Sequence, residues 1–173
     1  DVWVREDLQT HIDYLRERIK ATEKEIEDLI NQTPGLKTQH KLLTSIPGIG
    51  DHTASTLLAE IGDLSLYAGA HQLAAYAGLN PQGHRSGTSV CKKTRISKQG
   101  RSELRCCLYM PAIVAMSHNS VVKDLNDRMA QRGSHKMEIV VAAMRKLLHI
   151  AYGVLKNQIP FDPHYGEQFN FSS

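Results

Sequence analysis

A chain of 173 residues, 41% hydrophobic, 23% charged and 6% aromatic, has the apolar mass for one domain, or for one domain with a helical appendage, and is not a wholly disordered polymer. The run without a charge from Cys106 up to Lys123 is broken by His118, Asn119 and serines, which argues against a membrane span there. Three cysteines, Cys91, Cys106 and Cys107, are too few for a disulfide framework, lie in no CxxC zinc spacing, and suit packing roles in a reducing, intracellular compartment. No basic-then-apolar leader opens the sequence, and a first residue Asp1 in place of Met suggests a piece of a longer polypeptide.

The net charge of +3 conceals a division. Residues 1–40 hold six basic and nine acidic side chains, whereas residues 84–105 hold Arg85, Lys92, Lys93, Arg95, Lys98, Arg101 and Arg105 against Glu103 alone. The rest balances at eight of each sign, so the whole positive excess falls in one short stretch. Clustering of this kind is the footprint of a polyanion site, with a merely solvated basic face as the plain alternative.

In chain order, Leu8, Ile12, Leu15, Ile19, Thr22, Ile26 and Leu29 alternate spacings of four and three, an a/d heptad with one polar interruption. The spacing predicts a long helix, closed at Thr33-Pro34-Gly35, that packs along a partner helix or folds back on its own domain. We assign residues 1–35 to this coiled-coil arm, 36–163 to the main domain and 164–173 to a loose tail. Residues 41–62 then predict a helix ending near Ile46-Pro47, a tight turn at Gly48-Ile49-Gly50, and a second helix with Asp51 as N-cap and Ala54, Leu57, Leu58 and Ile61 inward. This pattern is that of a helix-hairpin-helix, in which Gly48 and Gly50 would turn bare N–H groups toward a phosphate; a structural hairpin without a ligand is the alternative.

A third helix is expected around 69–77, stopped by Gly78 and Pro81. Residues 82–100 read as an ordered functional loop with a short strand near Thr88-Ser89-Val90. Arg101 to Ser117 predicts a buried helix with Leu104, Leu108 and Ile113 inward and Pro111 as a possible bend, followed by helices at 119–132 and 135–156. The last carries Ile139, Ala143, Leu147, Ile150 and Val154 at core spacing, and the tail from Ile159 shows little pattern. The fold class that follows is all-α, with one irregular basic loop.

Five segments in order resemble a known family: Ile46-Pro47-Gly48-Ile49-Gly50, Ala77-Gly78-Leu79-Asn80-Pro81, Ser86-Gly87-Thr88-Ser89-Val90, Arg95-Ile96-Ser97-Lys98-Gln99-Gly100, and Leu104-Arg105 with Leu108-Tyr109-Met110-Pro111-Ala112. Together they are similar to the C-terminal transposase domain of the insertion-sequence-110 family, the Piv-invertase-like, serine-type transposases guided by a bridge RNA. The resemblance implies that Ser86 is the catalytic nucleophile, attacking a DNA phosphodiester to leave a transient phosphoserine link. A serine hydroxyl needs help at neutral pH, and Arg85, Lys92, Lys93, Arg95, Ser97, Lys98, Arg101 and Arg105, with Gly48 and Gly50, are the candidate phosphate contacts. His84 is a candidate base, or simply an exposed loop histidine.

The resemblance further implies DNA as partner, a structured guide RNA, a homo-oligomer joined through the coiled coil, no membrane, and a place in the bacterial cytoplasm near the nucleoid. Magnesium is expected at an N-terminal RuvC-like domain with four acidic residues, for which nothing before Asp1 leaves room; no cofactor or metal is expected in this chain itself. Two other readings stay open: a non-catalytic helix-hairpin-helix module that binds DNA or RNA, and an architectural dimerisation piece whose basic loop meets RNA.

Overall fold

The computed structural model describes residues 1–82, 85–86, 90–91 and 95–165, with the backbone alone for Arg85, Ser86, Val90, Cys91 and Arg95. The protein is all-α: seven α-helices carry the described structure, and its strands are two-residue pairings. Two compact units divide the chain, residues 1–38 and 39–173.

The first unit is dominated by α1 (Val2–Gln32), which has no buried residue. Its heptad positions Leu8, Ile12, Leu15, Ile19, Ile26 and Leu29 are all exposed, Leu8 at 56% and Ile19 at 57%. Local contacts hold its outer surface, among them a Gln9 amide donating to the Asp13 carboxylate and an Arg16–Asp13 pair at 3.2 Å. Such exposed pairs stabilise by a few tenths of a kcal/mol at most. The helix closes at Thr33, and α2 (Pro34–Thr44) begins with proline at its first position, where the missing N–H has no helical partner to lose.

The second unit holds the core. Helix α3 (Asp51–Ile61) presents Ala54, Leu57 and Ile61 to it, with Leu58 half-buried. A 3₁₀ turn at Leu64–Leu66 follows, capped by the Asp63 side chain accepting from the Ser65 N–H, and was not legible beforehand. Helix α4 (Ala70–Tyr76) then leads to four short strands, β1 (Pro81–Gln82), β2 (Arg85–Ser86), β3 (Val90–Cys91) and β4 (Arg95–Ile96). Helices α5 (Ser102–His118), α6 (Ser120–Gln131) and α7 (Lys136–Asn157) complete the unit. Packing is centred on α5 and α7, which bring Leu104, Leu108, Ala112, Ala115, Leu147, Leu148 and Ala151 together at zero exposure.

Three expectations need correction. The N-cap of α3 is Gly50, whose extended backbone (φ −93°, ψ 176°) lies outside the helix, so Asp51 is the first helical residue. Ile113 is 37% exposed; the inward positions of α5 are Leu104, Leu108, Pro111, Ala112 and Ala115, because alanines and a proline let two helices approach closely there. Cys106 is exposed and Cys107 half-buried, so only the latter packs. The chain past α7 is also better held than its pattern suggested. Phe161 packs against the core and its N–H donates to the Ser45 hydroxyl at 2.9 Å.

Asn119 has a structural role that no sequence pattern announced. It is 1% exposed, its N–H closes α5 on Ala115, and its Oδ1 accepts from the Val122 N–H to open α6. Its amide nitrogen also donates to the Pro47 carbonyl at 3.4 Å, tying the 45–50 turn to the α5–α6 corner.

Candidate nucleic-acid interface

The site is assembled from the stretch between α4 and α5. β1 pairs antiparallel with β4, Pro81 opposite Ile96 and Gln82 opposite Arg95. β2 pairs antiparallel with β3, Arg85 opposite Cys91 and Ser86 opposite Val90. Because β2 and β3 lie between β1 and β4 in the sequence, the two ladders are nested along the chain, and this paired stretch is the ribbon. The loop expected at 82–100 is thus paired backbone in part, and Val90 belongs to a strand as expected. His84, Gly87, Thr88, Ser89, Lys92 and Lys93 lie outside the described residues, as do the side chains of Arg85, Ser86 and Arg95.

Beside the β1–β4 pairing, three further backbone hydrogen bonds hold the base of the ribbon. Ser97 N–H donates to Asn80 O at 2.9 Å, Lys98 N–H to Gly78 O at 3.1 Å, and Arg101 N–H to Tyr76 O at 2.9 Å. Close approach of the two segments requires glycine at both contact points. A Cβ on Gly100, at φ +139°, would stand 2.1 Å from Tyr76 O, and one on Gly78, at φ +67°, 2.7 Å from the Arg105 guanidinium. Lys98 itself takes a left-handed backbone, φ 54°, which an L-residue adopts at a cost where the surroundings fix it.

Two of the candidate phosphate contacts are engaged within the protein. Arg105 Nη1 donates to Ala77 O at 2.9 Å, Gly100 O at 3.3 Å and Arg101 O at 3.4 Å, clasping both sides of the ribbon base. Arg101 Nε meets Glu60 Oε2 at 3.1 Å; the carboxylate is mostly enclosed and the guanidinium half exposed. Glu60 foremost, then Tyr76, raises the Arg101 guanidinium above its ordinary value, so it is firmly charged. The edge-to-face pair Tyr67–Tyr76, with centroids 5.6 Å apart, stands behind it. Lys98 is exposed and Ser97 half-buried.

The 45–50 turn joins α2 to α3 through the buried anchors Ile46 and Ile49, Ile49 N–H donating to Ile46 O at 3.0 Å. Gly48, at φ +105°, is pressed onto α5: a Cβ there would lie 2.8 Å from Ala115 Cβ. Gly50 is exposed with open space around its Cα. The next residue, Asp51, places a carboxylate that is 90% exposed at the start of α3, where it satisfies the helix dipole and competes with any incoming phosphate. Sequence reasoning missed Glu60 and Asn119 because each acts across the fold rather than within a motif.

Among the described residues no three His, Cys, Asp or Glu side chains gather into a metal-binding group, and no helix is long and apolar enough to cross a membrane.

An all-α domain that projects a serine-containing basic ribbon between two core helices has the makings of a nucleic-acid-processing module. The chain belongs to the Transposase IS116/IS110/IS902 family, whose sequence pattern covers residues 40–127, from the turn through the ribbon to α6. It is similar to the pilin gene-inverting protein of Moraxella bovis, 40% identical over 167 residues that cover 96% of this chain and 52% of that protein. It is likewise similar to the transposase for insertion sequence element IS1328 of Yersinia enterocolitica, 32% identical over 152 residues, 85% of this chain and 43% of that protein. A 43.6 kDa protein of insertion element IS110 from Streptomyces coelicolor is 27% identical over 150 residues, 87% of this chain and 36% of that protein. The chain thus spans about half the length of the Moraxella relative, and less of the other two.

Proposed function

We propose that this chain is the serine-bearing part of a DNA transposase or invertase, and that its ribbon delivers Ser86 to the sugar–phosphate backbone. The reading is carried by the register of the ribbon: Ser86 stands opposite Val90 within a segment that also bears Arg85, Arg95 and Lys98. The printed names of the relatives, a gene-inverting protein and a transposase, point the same way. In the proposed step the Ser86 oxygen forms a bond to a DNA phosphorus, the bond from phosphorus to one strand's bridging oxygen breaks, and that oxygen takes a proton. Reversal with a different strand end rejoins the DNA without loss of bond energy.

The cationic residues Arg85, Lys92, Lys93, Arg95 and Lys98 offset charge building on the non-bridging oxygens; a well-placed donor of this kind is worth about 2–4 kcal/mol in the barrier. Arg101 and Arg105 act chiefly on the ribbon base. The turn at Gly48 and Gly50 serves as a helix-hairpin-helix that steadies the DNA, with Gly50 the accessible member. Magnesium chemistry is assigned to a RuvC-like domain outside this chain, and a structured guide RNA shares the cationic surface. The exposed heptad of α1 pairs with another copy as a coiled coil, since a single amphipathic helix with nothing buried gains little from its own contacts.

The test joins this chain to the N-terminal half of a family member and supplies DNA carrying the element's ends. Ser86→Ala should abolish strand cleavage and the covalent protein–DNA adduct while DNA affinity stays within about twofold. Ser89→Ala and Ser97→Ala should leave the adduct in place. Cleavage that survives in Ser86→Ala rejects the nucleophile and leaves a binding module.

A further inference from the structure

Helices α4 and α7 pack against each other and carry a second set of cations away from the ribbon sequence. From Ile139 to Phe161 the chain has no Asp or Glu, and neither has α4, yet Arg145, Lys146, His149 and His71 all lie on these two helices. The ion pairs among the described residues are Arg16–Asp13, His40–Asp51 and Arg101–Glu60, so Arg145 and Lys146 enter none of them. Both are nevertheless half-buried. His149, also half-buried, stands one helical turn from both on α7. Its Nε2 is shut off from solvent without a hydrogen-bond partner, and burial first, then Arg145, Lys146 and His71, hold it below the ordinary histidine value. Two α7 cations and a histidine of α4 thus act on one imidazole, and no carboxylate is among the groups that shift it.

A half-buried cation gives up hydration, and among the described residues no counter-ion returns it. An external anion restores that balance. The position of the seam says which anion. Helix α4 carries His71 near its start and, at its end, Tyr76, whose carbonyl receives the Arg101 N–H at the ribbon base. Those two residues are about 8 Å apart along the helix axis, close to two base-pair rises.

We propose that the α4–α7 seam, through His71, Arg145 and Lys146, holds the sugar–phosphate backbone of the nucleic acid engaged by the ribbon. The inference rests on the functional reading above for the identity of the ligand. Its chemistry is the phosphodiester, shared by DNA and RNA, and the contacts are to backbone, so no base sequence is read.

The experiment measures binding of the full chain to a fluorescent random-sequence DNA duplex and to a stem–loop RNA across a salt series. Arg145→Gln with Lys146→Gln should weaken binding about tenfold and reduce the slope of log affinity against log salt by about two for the duplex. A loss confined to the duplex assigns the seam to DNA, and a loss confined to the stem–loop assigns it to RNA. Lys123→Gln with Arg128→Gln on α6 removes equal charge elsewhere and should leave the slope nearly unchanged. Unaltered binding of both probes to the seam variant, or an equal fall in the α6 variant, overturns the proposal. Should the double variant unfold, Lys146→Gln alone carries the same test with a slope change near one.

Lys92→Gln, Lys93→Gln and Lys98→Gln together test the ribbon separately. Binding that survives this triple change but falls in the seam variant removes the ribbon grip and keeps the seam; the reverse result removes the seam alone.

Discussion

Arg105 is the residue whose removal most directly tests the architecture of the ribbon base. Its Nη1 makes one strong bond, 2.9 Å to Ala77 O, and two long ones to Gly100 O and Arg101 O. A hydrogen bond from a charged donor contributes about 1.5–3 kcal/mol, and the two long contacts add little to that range. Arg105→Ala should therefore lower the local opening free energy by about 1.5–3 kcal/mol, which is roughly a ten- to hundredfold faster exchange of the amides it steadies. Those amides are Ser97, Lys98 and Arg101, which donate to Asn80, Gly78 and Tyr76. Hydrogen exchange followed by NMR reads them individually, with α6 and α7 as internal references. Gly100→Ala should expose the same amides by another route, because its Cβ cannot share space with Tyr76 O. Arg105→Lys keeps the charge but loses the planar fork, so protection should recover only in part. Unchanged exchange at the three amides in folded Arg105→Ala protein, or a uniform loss across every helix, would refute the clasp.

The other predictions concern single groups and one surface. Burial pushes the Cys107 thiol up to about 11 whereas Cys106 is exposed, so at pH 8 iodoacetamide should label Cys106 and spare Cys107 in a Cys91→Ser background. Mass spectrometry checks it, and fast labelling at Cys107 would contradict the packing around it. His149 is held below the ordinary value of 6.5, so between its folded value and 6.5 the unfolded chain binds more protons than the folded one. Stability should be fully present above that window and decline as pH falls through it; thermal unfolding from pH 7.5 to 5 should show the decline, and His149→Gln should blunt it. Ile12→Asp with Ile19→Asp on α1 should lower the mass in solution by light scattering; an unchanged mass would set aside pairing through the heptad.

Periodicity carried the helices because burial repeats every turn. Leu104, Leu108, Ile139, Ala143 and Leu147 sit in the core where their spacing put them. Ile113 did not, and the reason is steric: α5 comes close to its neighbours through Pro111, Ala112 and Ala115, so the small side chains take the inward face and the larger isoleucine is left 37% exposed. Hydrophobicity ranks residues by their gain on burial, but shape decides which face can be buried at all. The cap of α3 moved by one residue for a related reason. Asp51 has cap chemistry, yet Gly50 supplies the extended backbone that a cap position needs.

The site was legible as composition and illegible as wiring. Seven cations within residues 84–105 announced a polyanion surface, and they formed a single class as long as they were read along the chain. Folding divides them. Arg105 turns inward onto three carbonyls and Arg101 onto Glu60, a residue 41 positions earlier by subtraction of their numbers, while Lys98 stays exposed. The two arginines are suited to this because a guanidinium offers several donors in one plane, whereas an ammonium is a hydrated point charge. Lys98, exposed on the ribbon, and the two arginines that brace its base therefore answer different perturbations. Neutralising the lysines should change the salt dependence of binding without moving the melting temperature, whereas replacing Arg105 should move ribbon exchange first and binding only as a consequence. If both classes of substitution moved the same observable by the same amount, the basic stretch would be one undifferentiated charged surface, and the division drawn from the hydrogen bonds would have no functional meaning.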